Sequence, residues 1–141
     1  MDEGKSLSTI EKILFLKTVD IFEHAAVEDL GRVAALADEV VFAEGETLYR
    51  KGEPVEAIYI VVNGLAVVEN DATTVREVGE GGALGVLAAL DLNPALRTVK
   101  AKKSVRALKL NVQDFQDVLS MDFDLVKAVF RFIARRMREG Y

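Results

Sequence analysis

The chain predicts an α+β fold: an antiparallel β-roll of jelly-roll type with about eight strands, two helices before it and two after it. Three observations predict it. Apolar residues recur at helical spacing near both ends of the 141 residues. Between Val40 and Leu110 the texture changes to short β-branched and aromatic runs. Those runs are punctuated by Gly45, Gly52, Gly64, Gly79, Gly81, Gly82 and Gly85, a spacing of strands and turns that suits a sandwich or roll.

The elements follow in order. Ser8-Thr9-Ile10-Glu11 fits a capping box, and Ile10, Ile13 and Leu14 then recur at helical spacing. A second helix is expected from about Val27 to Ala37, with Val27, Leu30, Val33, Ala34 and Ala37 on one face. Strands are expected at Val40–Phe42, Thr47–Tyr49, Ile58–Val62 and Leu65–Val68, with Asn70-Asp71 turning into Thr73–Val78. Val99 and Val105–Leu110 add strands. Asn111 then caps a helix marked by Phe115, Val118 and Leu119. Asp122 or Asp124 caps the last helix, whose apolar positions Leu125, Val126, Val129, Phe130, Phe132, Ile133 and Met137 exceed one core stripe. The organisation is an N-terminal helical segment, 1–38, a β-roll with one special turn, 39–110, and C-terminal helices, 111–141, all in one domain.

Composition narrows the class. Hydrophobic residues make up 50%, with no long polar tract, so disorder is not expected. No apolar run reaches the length of a membrane span, and the acidic Met1-Asp2-Glu3-Gly4 start is unlike a secretory signal. With no cysteine there is no thiol chemistry, and a cytoplasmic location is the expectation. Residues 1–96 hold 18 acids and 7 bases, a net of −11, whereas residues 97–141 hold 5 acids and 11 bases, a net of +6. The basic tail, with Arg131, Arg135, Arg136 and Arg138, reads first as a solvated helix face completing an acidic roll. Contact with an anionic partner is the other reading.

Catalytic and metal signals are weak. His24 is the single histidine, so neither a Ser-His-Asp set nor a convergent metal site can be assembled around it. The run from Gly79 to Gly85 is no dinucleotide fingerprint, since its last glycine falls one place late, and no Gly-Lys-Ser/Thr makes it a P-loop. Glu44, Glu46, Glu53 and Glu56 flank turns and read as solvated charges. An enzyme, a cofactor and a bound metal are not expected.

One stretch stands out. Leu84-Gly85-Val86-Leu87-Ala88, followed by Pro94-Ala95-Leu96-Arg97-Thr98-Val99, has the frame of a phosphate-binding turn. The order of elements and the motifs Phe42-Ala43-Glu44-Gly45-Glu46, Gly52-Glu53-Pro54, Tyr59-Ile60-Val61, Gly64, Gly81, Leu84-Gly85, Pro94 and Thr98-Val99 resemble the cyclic-nucleotide-binding domain family, over roughly residues 10–138. The resemblance implies a non-enzymatic regulatory module. Its pocket would be formed by Leu84, Gly85, Val86, Leu87, Ala88, Ala95, Leu96, Arg97 and Thr98. The helix opened by Gly85 would face the cyclic phosphate.

Two positions depart from the family pattern. Val86 stands where the family carries the Glu that accepts from the ribose hydroxyl, and Ala95 stands where it carries the Arg that pairs with the phosphate. Losing one partner of a buried charge pair costs about 2–5 kcal/mol, or about 30- to 5,000-fold in affinity. Weak or lost binding of cyclic AMP and GMP is therefore expected, with a pocket that is either filled or suited to a small apolar ligand. Arg97 lies two residues past Ala95, about 7 Å along an extended strand, and replaces the missing Arg only if the loop is re-registered. A working sensor using Arg97 or backbone amides, and a ligand-free interaction domain, are the alternatives. The wide apolar face around Val129, Phe132 and Ile133 reads either as core packing or as a homodimer or interdomain contact through the last helix. No helix-turn-helix follows it, so nucleic-acid binding by this chain alone is not expected.

Overall fold

The computed structural model describes residues 6–139. Helix α1, Thr9–Leu16, starts on the expected box: Glu11 N donates to Ser8 Oγ at 3.1 Å, and Ser8 N donates to Glu11 Oε1 at 2.9 Å. The segment leading to α2, Val27–Leu36, buries Val19, Ile21 and Phe22 completely. These side chains plug the space between the helices and the sheet.

Six strands form the sheet among the described residues: β1 Asp38–Phe42, β2 Thr47–Tyr49, β3 Ala57–Asn70, β4 Thr73–Val78, β5 Ala83–Leu84 and β6 Thr98–Asn111. The order is β1-β6-β3-β4, with β2 on β6 and β5 on β3, all antiparallel. This corrects the expectation of about eight strands. Ile58–Val62 and Leu65–Val68 are two parts of β3, and Val99 and Val105–Leu110 belong to β6. Gly64 explains the merger. Its φ of +97° and the register shifts from Val61 to Ala66 bend β3 without ending it. The backbone passes so close to the Ser104 carbonyl that a Cβ at Gly64 would overlap it.

The two faces of the long strands feed two cores. Ile58, Ile60, Val62, Leu108 and Leu110 pack with the helices, together with Phe22, Leu30, Phe115 and Leu125. Val61, Ala66, Val68, Val99, Val105 and Ala107 fill the inside of the roll. Burial on both faces is why these strands read as continuous apolar runs rather than alternating ones.

Three further helices occur among the described residues: α3 Val86–Asp91, between β5 and β6, then α4 Val112–Met121 and α5 Phe123–Glu139. Asn111 Oδ1 accepts from Gln113 N at 2.8 Å to start α4, and Asp122 Oδ1 accepts from Leu125 N at 3.1 Å to start α5. Asp122 also meets Asp29 of α2. The hydrogen bond with Asp122 raises the Asp29 carboxyl above its ordinary value, with burial adding to it. Burial also pushes Asp122 upward, but the bond from Asp29 and the amides around it outweigh this and hold Asp122 low. At the sheet edge, Arg106, 8% exposed, donates to Glu39 Oε1 at 2.8 Å. The same oxygen accepts Leu7 N at 2.9 Å, fastening the N-terminal segment to the roll.

Candidate functional site

The site grows from the turn at Gly85. Its φ of +88° suits glycine, and a Cβ there would stand 3.1 Å from the Ala57 carbonyl oxygen and 3.2 Å from Val55 Cγ1. The turn opens α3, whose first internal bond runs from Ala89 N to Gly85 O at 3.0 Å. The amides of Val86, Leu87 and Ala88 precede that bond and have no partner within the helix. Leu92, at φ +59°, ends α3.

The loop after Pro94 is held from the other side. Ala95 N donates to Glu53 O at 2.9 Å, Gly52 N to Ala95 O at 2.8 Å, and Lys51 N to Thr98 Oγ1 at 3.1 Å. From α4, Gln116 Nε2 donates to Ala89 O at 3.0 Å. Between α3, this loop, the roll and α5 lies a cavity of about 130 Å³.

Of the residues singled out from the sequence, Leu84, Gly85, Val86, Leu87, Ala88, Ala95, Leu96 and Arg97 line this cavity. Thr98 does not, and its hydroxyl is engaged by Lys51. Val86 and Ala95 are 2% and 6% exposed, so both are buried in the cavity wall. On α5, Phe132 lines the cavity, whereas Val129 lies in the core against the sheet and Ile133 packs at its margin. Of the two readings of this face, core packing and a contact with another chain or domain, the burial of Val129 and Phe132 and the partial burial of Ile133 fit core packing. The helix is turned so that Leu125, Ala128, Val129 and Phe132 face inward. The large exposed apolar residues on α5 are Phe123, Phe130 and Met137, seven positions apart along one stripe.

The cavity wall is neither filled nor wholly apolar. Three arginines line it: Arg76 from β4, Arg97 from the loop and Arg136 from α5. Asp91 is the one carboxylate among the lining residues. Arg76 sits opposite Val68 in the β3–β4 register, on the side of β4 that also carries buried Val78. Arg97 Nη1 donates to the Leu96 carbonyl at 3.2 Å. Arg136 stacks over the Phe132 ring at 5.2 Å and stands 3.4 Å from Glu139 Oε1. Tyr49, also in the wall, stacks at 6.4 Å on Tyr59, whose hydroxyl burial pushes above its ordinary pKa.

Sequence reasoning missed Arg76 and Arg136. The signals were present. Arg76 alternates with Val78 and so shares its inward face. Arg136 is four residues past Phe132 and so shares its helical face. His24, by contrast, is exposed and lies 3.3 Å from Glu23. No group of three or more His, Cys, Asp or Glu side chains that could hold a metal occurs among the described residues.

A β-roll with a glycine-gated short helix, and a C-terminal helix lying over it, defines a regulatory ligand-cassette domain. The model of the family described as "Cyclic nucleotide-binding domain" matches residues 39–122, more than half of the chain, and the chain belongs to that family. It is 29% identical over 107 residues to the cAMP-dependent protein kinase regulatory subunit of Emericella nidulans, covering 74% of this chain and 26% of that protein. The chain thus spans about a quarter of that curated relative. Among solved structures, it is similar to the N-terminal domain of a transcriptional regulator from Streptomyces coelicolor A3(2), with a TM-score of 0.72 and 27% identity over 89% of this chain and 90% of that one. It also shares the fold of the regulatory domain of Toxoplasma gondii protein kinase A with cAMP, with a TM-score of 0.79 and 23% identity over 94% of this chain and 50% of that one. No helix among the described residues is long and apolar enough to cross a membrane.

Proposed function

We propose that this chain is a non-enzymatic regulatory module in which ordinary recognition of cyclic AMP and cyclic GMP is weak or lost. The observation that carries this reading is the burial of Val86 and Ala95 in the cavity wall. Val86 offers no acceptor to a ribose hydroxyl, and Ala95 offers no cation to a cyclic phosphate. Arg76, Arg97 and Arg136 stand in the same wall, so it is not wholly apolar. Arg97 lines the cavity, so it supplies charge near the phosphate position without restoring the family pair.

The output runs through α5. Phe132 and Arg136 touch the cavity while Phe123, Phe130 and Met137 face outward. A ligand that moves the first pair shifts the outer stripe. That stripe would dock on a second copy or on an adjoining domain of a longer cytoplasmic protein, and sedimentation of this chain separates the two. Titration calorimetry with cyclic AMP and cyclic GMP tests the reading: dissociation constants in the millimolar range or beyond are expected, and micromolar binding of either would overturn it.

A further inference from the structure

We infer that α5 of one chain docks on the groove between α1 and β3 of a second copy. The contact is head-to-tail: the stripe of Phe123, Phe130 and Met137 meets apolar walls, and Arg131 and Arg138 meet carboxylates. The inference rests on the reading that the outer stripe of α5 is the docking surface, and it names what that stripe docks on.

The donor face is set by helical geometry. Successive residues of a helix turn by about 100°. Phe123, Phe130 and Met137 therefore fall on one line of α5, and Lys127, Arg131 and Arg138 run along one side of it. Lys127 lies 3.7 Å from Asp124, Arg135 2.7 Å from Asp20 and Arg136 3.4 Å from Glu139. Arg131 and Arg138 are exposed and hold no ion pair with a described residue. Ala134, small and exposed, leaves a notch between Phe130 and Met137.

The acceptor face lies beside α1. Leu7, Leu14, Phe15 and Val62 wall a groove there, and the exposed Glu11 and Glu80 complete the lining, with no cation among the lining residues. One Glu11 oxygen already accepts Ser8 N at 2.9 Å, while Glu80 has no partner among the described residues. Leu14 is 60% exposed, and Ile10, four residues before it, is exposed too. Together they make an apolar ridge of the kind that packs into the surface of another helix.

Both faces are open in the same chain, with Phe130 66% exposed, so they do not meet each other within it. Charge selects the partner. Pairing α5 with α5 of a second copy sets Lys127, Arg131 and Arg138 against like charges, whereas the groove offers Glu11 and Glu80. The whole chain repeats this asymmetry, with −11 over residues 1–96 and +6 over residues 97–141. Phe132 and Arg136 of the same helix line the cavity, so the contact connects one chain's cavity to the next chain's α1.

The test is sedimentation velocity on the parent, Leu14→Glu, Phe130→Glu and an equal mixture of the two variants. A head-to-tail contact leaves one free groove and one free helix on every complex, so the parent should form species larger than a dimer as concentration rises. Each variant alone should associate about 30-fold more weakly or worse. The mixture should recover a 1:1 dimer and nothing larger, because Phe130→Glu keeps an intact groove and Leu14→Glu an intact helix. High salt should weaken the parent's association by about twofold or more. Circular dichroism checks the fold, and Leu14→Ser and Phe130→Ser replace any variant that fails to fold. A parent that stays monomeric, or a mixture that does, overturns the inference. Association that Phe130→Glu abolishes and Leu14→Glu leaves unchanged means that α5 docks elsewhere, and this inference alone falls. Association that survives Phe130→Glu removes the outer stripe as the docking surface, and both fall. An anionic membrane is the rival occupant of a basic apolar helix. Phosphatidylserine vesicles that bind the parent and Leu14→Glu equally, with no self-association in solution, would overturn the inference in its favour.

Discussion

Restoring the two absent charges should restore the family's ligand. In Val86→Glu/Ala95→Arg, the carboxylate regains an acceptor for a ribose hydroxyl and the guanidinium a partner for a cyclic phosphate. Both positions are buried in the cavity wall, at 2% and 6% exposure, so the new groups act where water is scarce. A close charge pair of this kind is worth about 2–5 kcal/mol, and a hydrogen bond to a charged group about 1.5–3 kcal/mol. The two share one ligand and do not simply add. Arg76, Arg97 and Arg136 already crowd the wall and repel a fourth cation, which places the gain near the lower bound, about 30- to 300-fold. Val86→Glu alone should lower stability, because it buries a carboxylate that the second substitution is meant to pair. Calorimetric titration with cyclic AMP reads the gain, and circular dichroism checks the fold. An unchanged affinity in a folded double variant would refute the assignment of these positions as the missing contacts.

Other outcomes follow from the fold. Gly64→Ala drives a methyl into the Ser104 carbonyl at a φ of +97° and should cost about 3 kcal/mol or more; a melting temperature within 2 °C (about 0.5 kcal/mol) of the parent would contradict this. Arg106→Met leaves the Glu39 carboxylate against Leu7 N without its cation and should cost about 3–5 kcal/mol, read by urea denaturation. Asp29 holds its proton more tightly folded than unfolded, so its contact with Asp122 weakens the fold as pH rises from the ordinary aspartate range through the raised value. Asp29→Asn removes that loss along with the 3.3 Å ion pair to Arg32, so its stability relative to the parent should rise from pH 3 toward pH 7, and melts across this range that run parallel would count against the contact. Phe130→Glu, on the outer stripe of α5, should abolish self-association through that stripe, read by sedimentation velocity, and a dimer that persists in the variant would place the contact elsewhere.

Much of the fold was legible in local chemistry. Ser8 and Glu11, Asn111, and the alternation around Thr47–Tyr49 each report on a few neighbouring residues, and the structure places each as expected. The strand count was not legible. Gly64 looks like a turn in sequence, and only its approach to Ser104 on β6 shows that it bends a continuing strand. The site divided in the same way. Val86 and Ala95 were found because they sit in a local motif. Arg76 and Arg136 reach the cavity from β4 and from the end of α5, a convergence that depends on tertiary packing. Thr98 and Ile133 are close in sequence to cavity residues, yet the Thr98 hydroxyl accepts from Lys51 N and Ile133 packs at the core margin, placements that local sequence does not show.

The most direct test is a titration of the unmodified chain with cyclic AMP and cyclic GMP, at protein concentrations that register millimolar dissociation constants. If Val86 and Ala95 stand at the two recognition positions, as proposed, binding no tighter than millimolar is expected. Micromolar binding of either nucleotide would contradict it and would mean that Arg97, or the amides ahead of α3, already do the work of the absent pair.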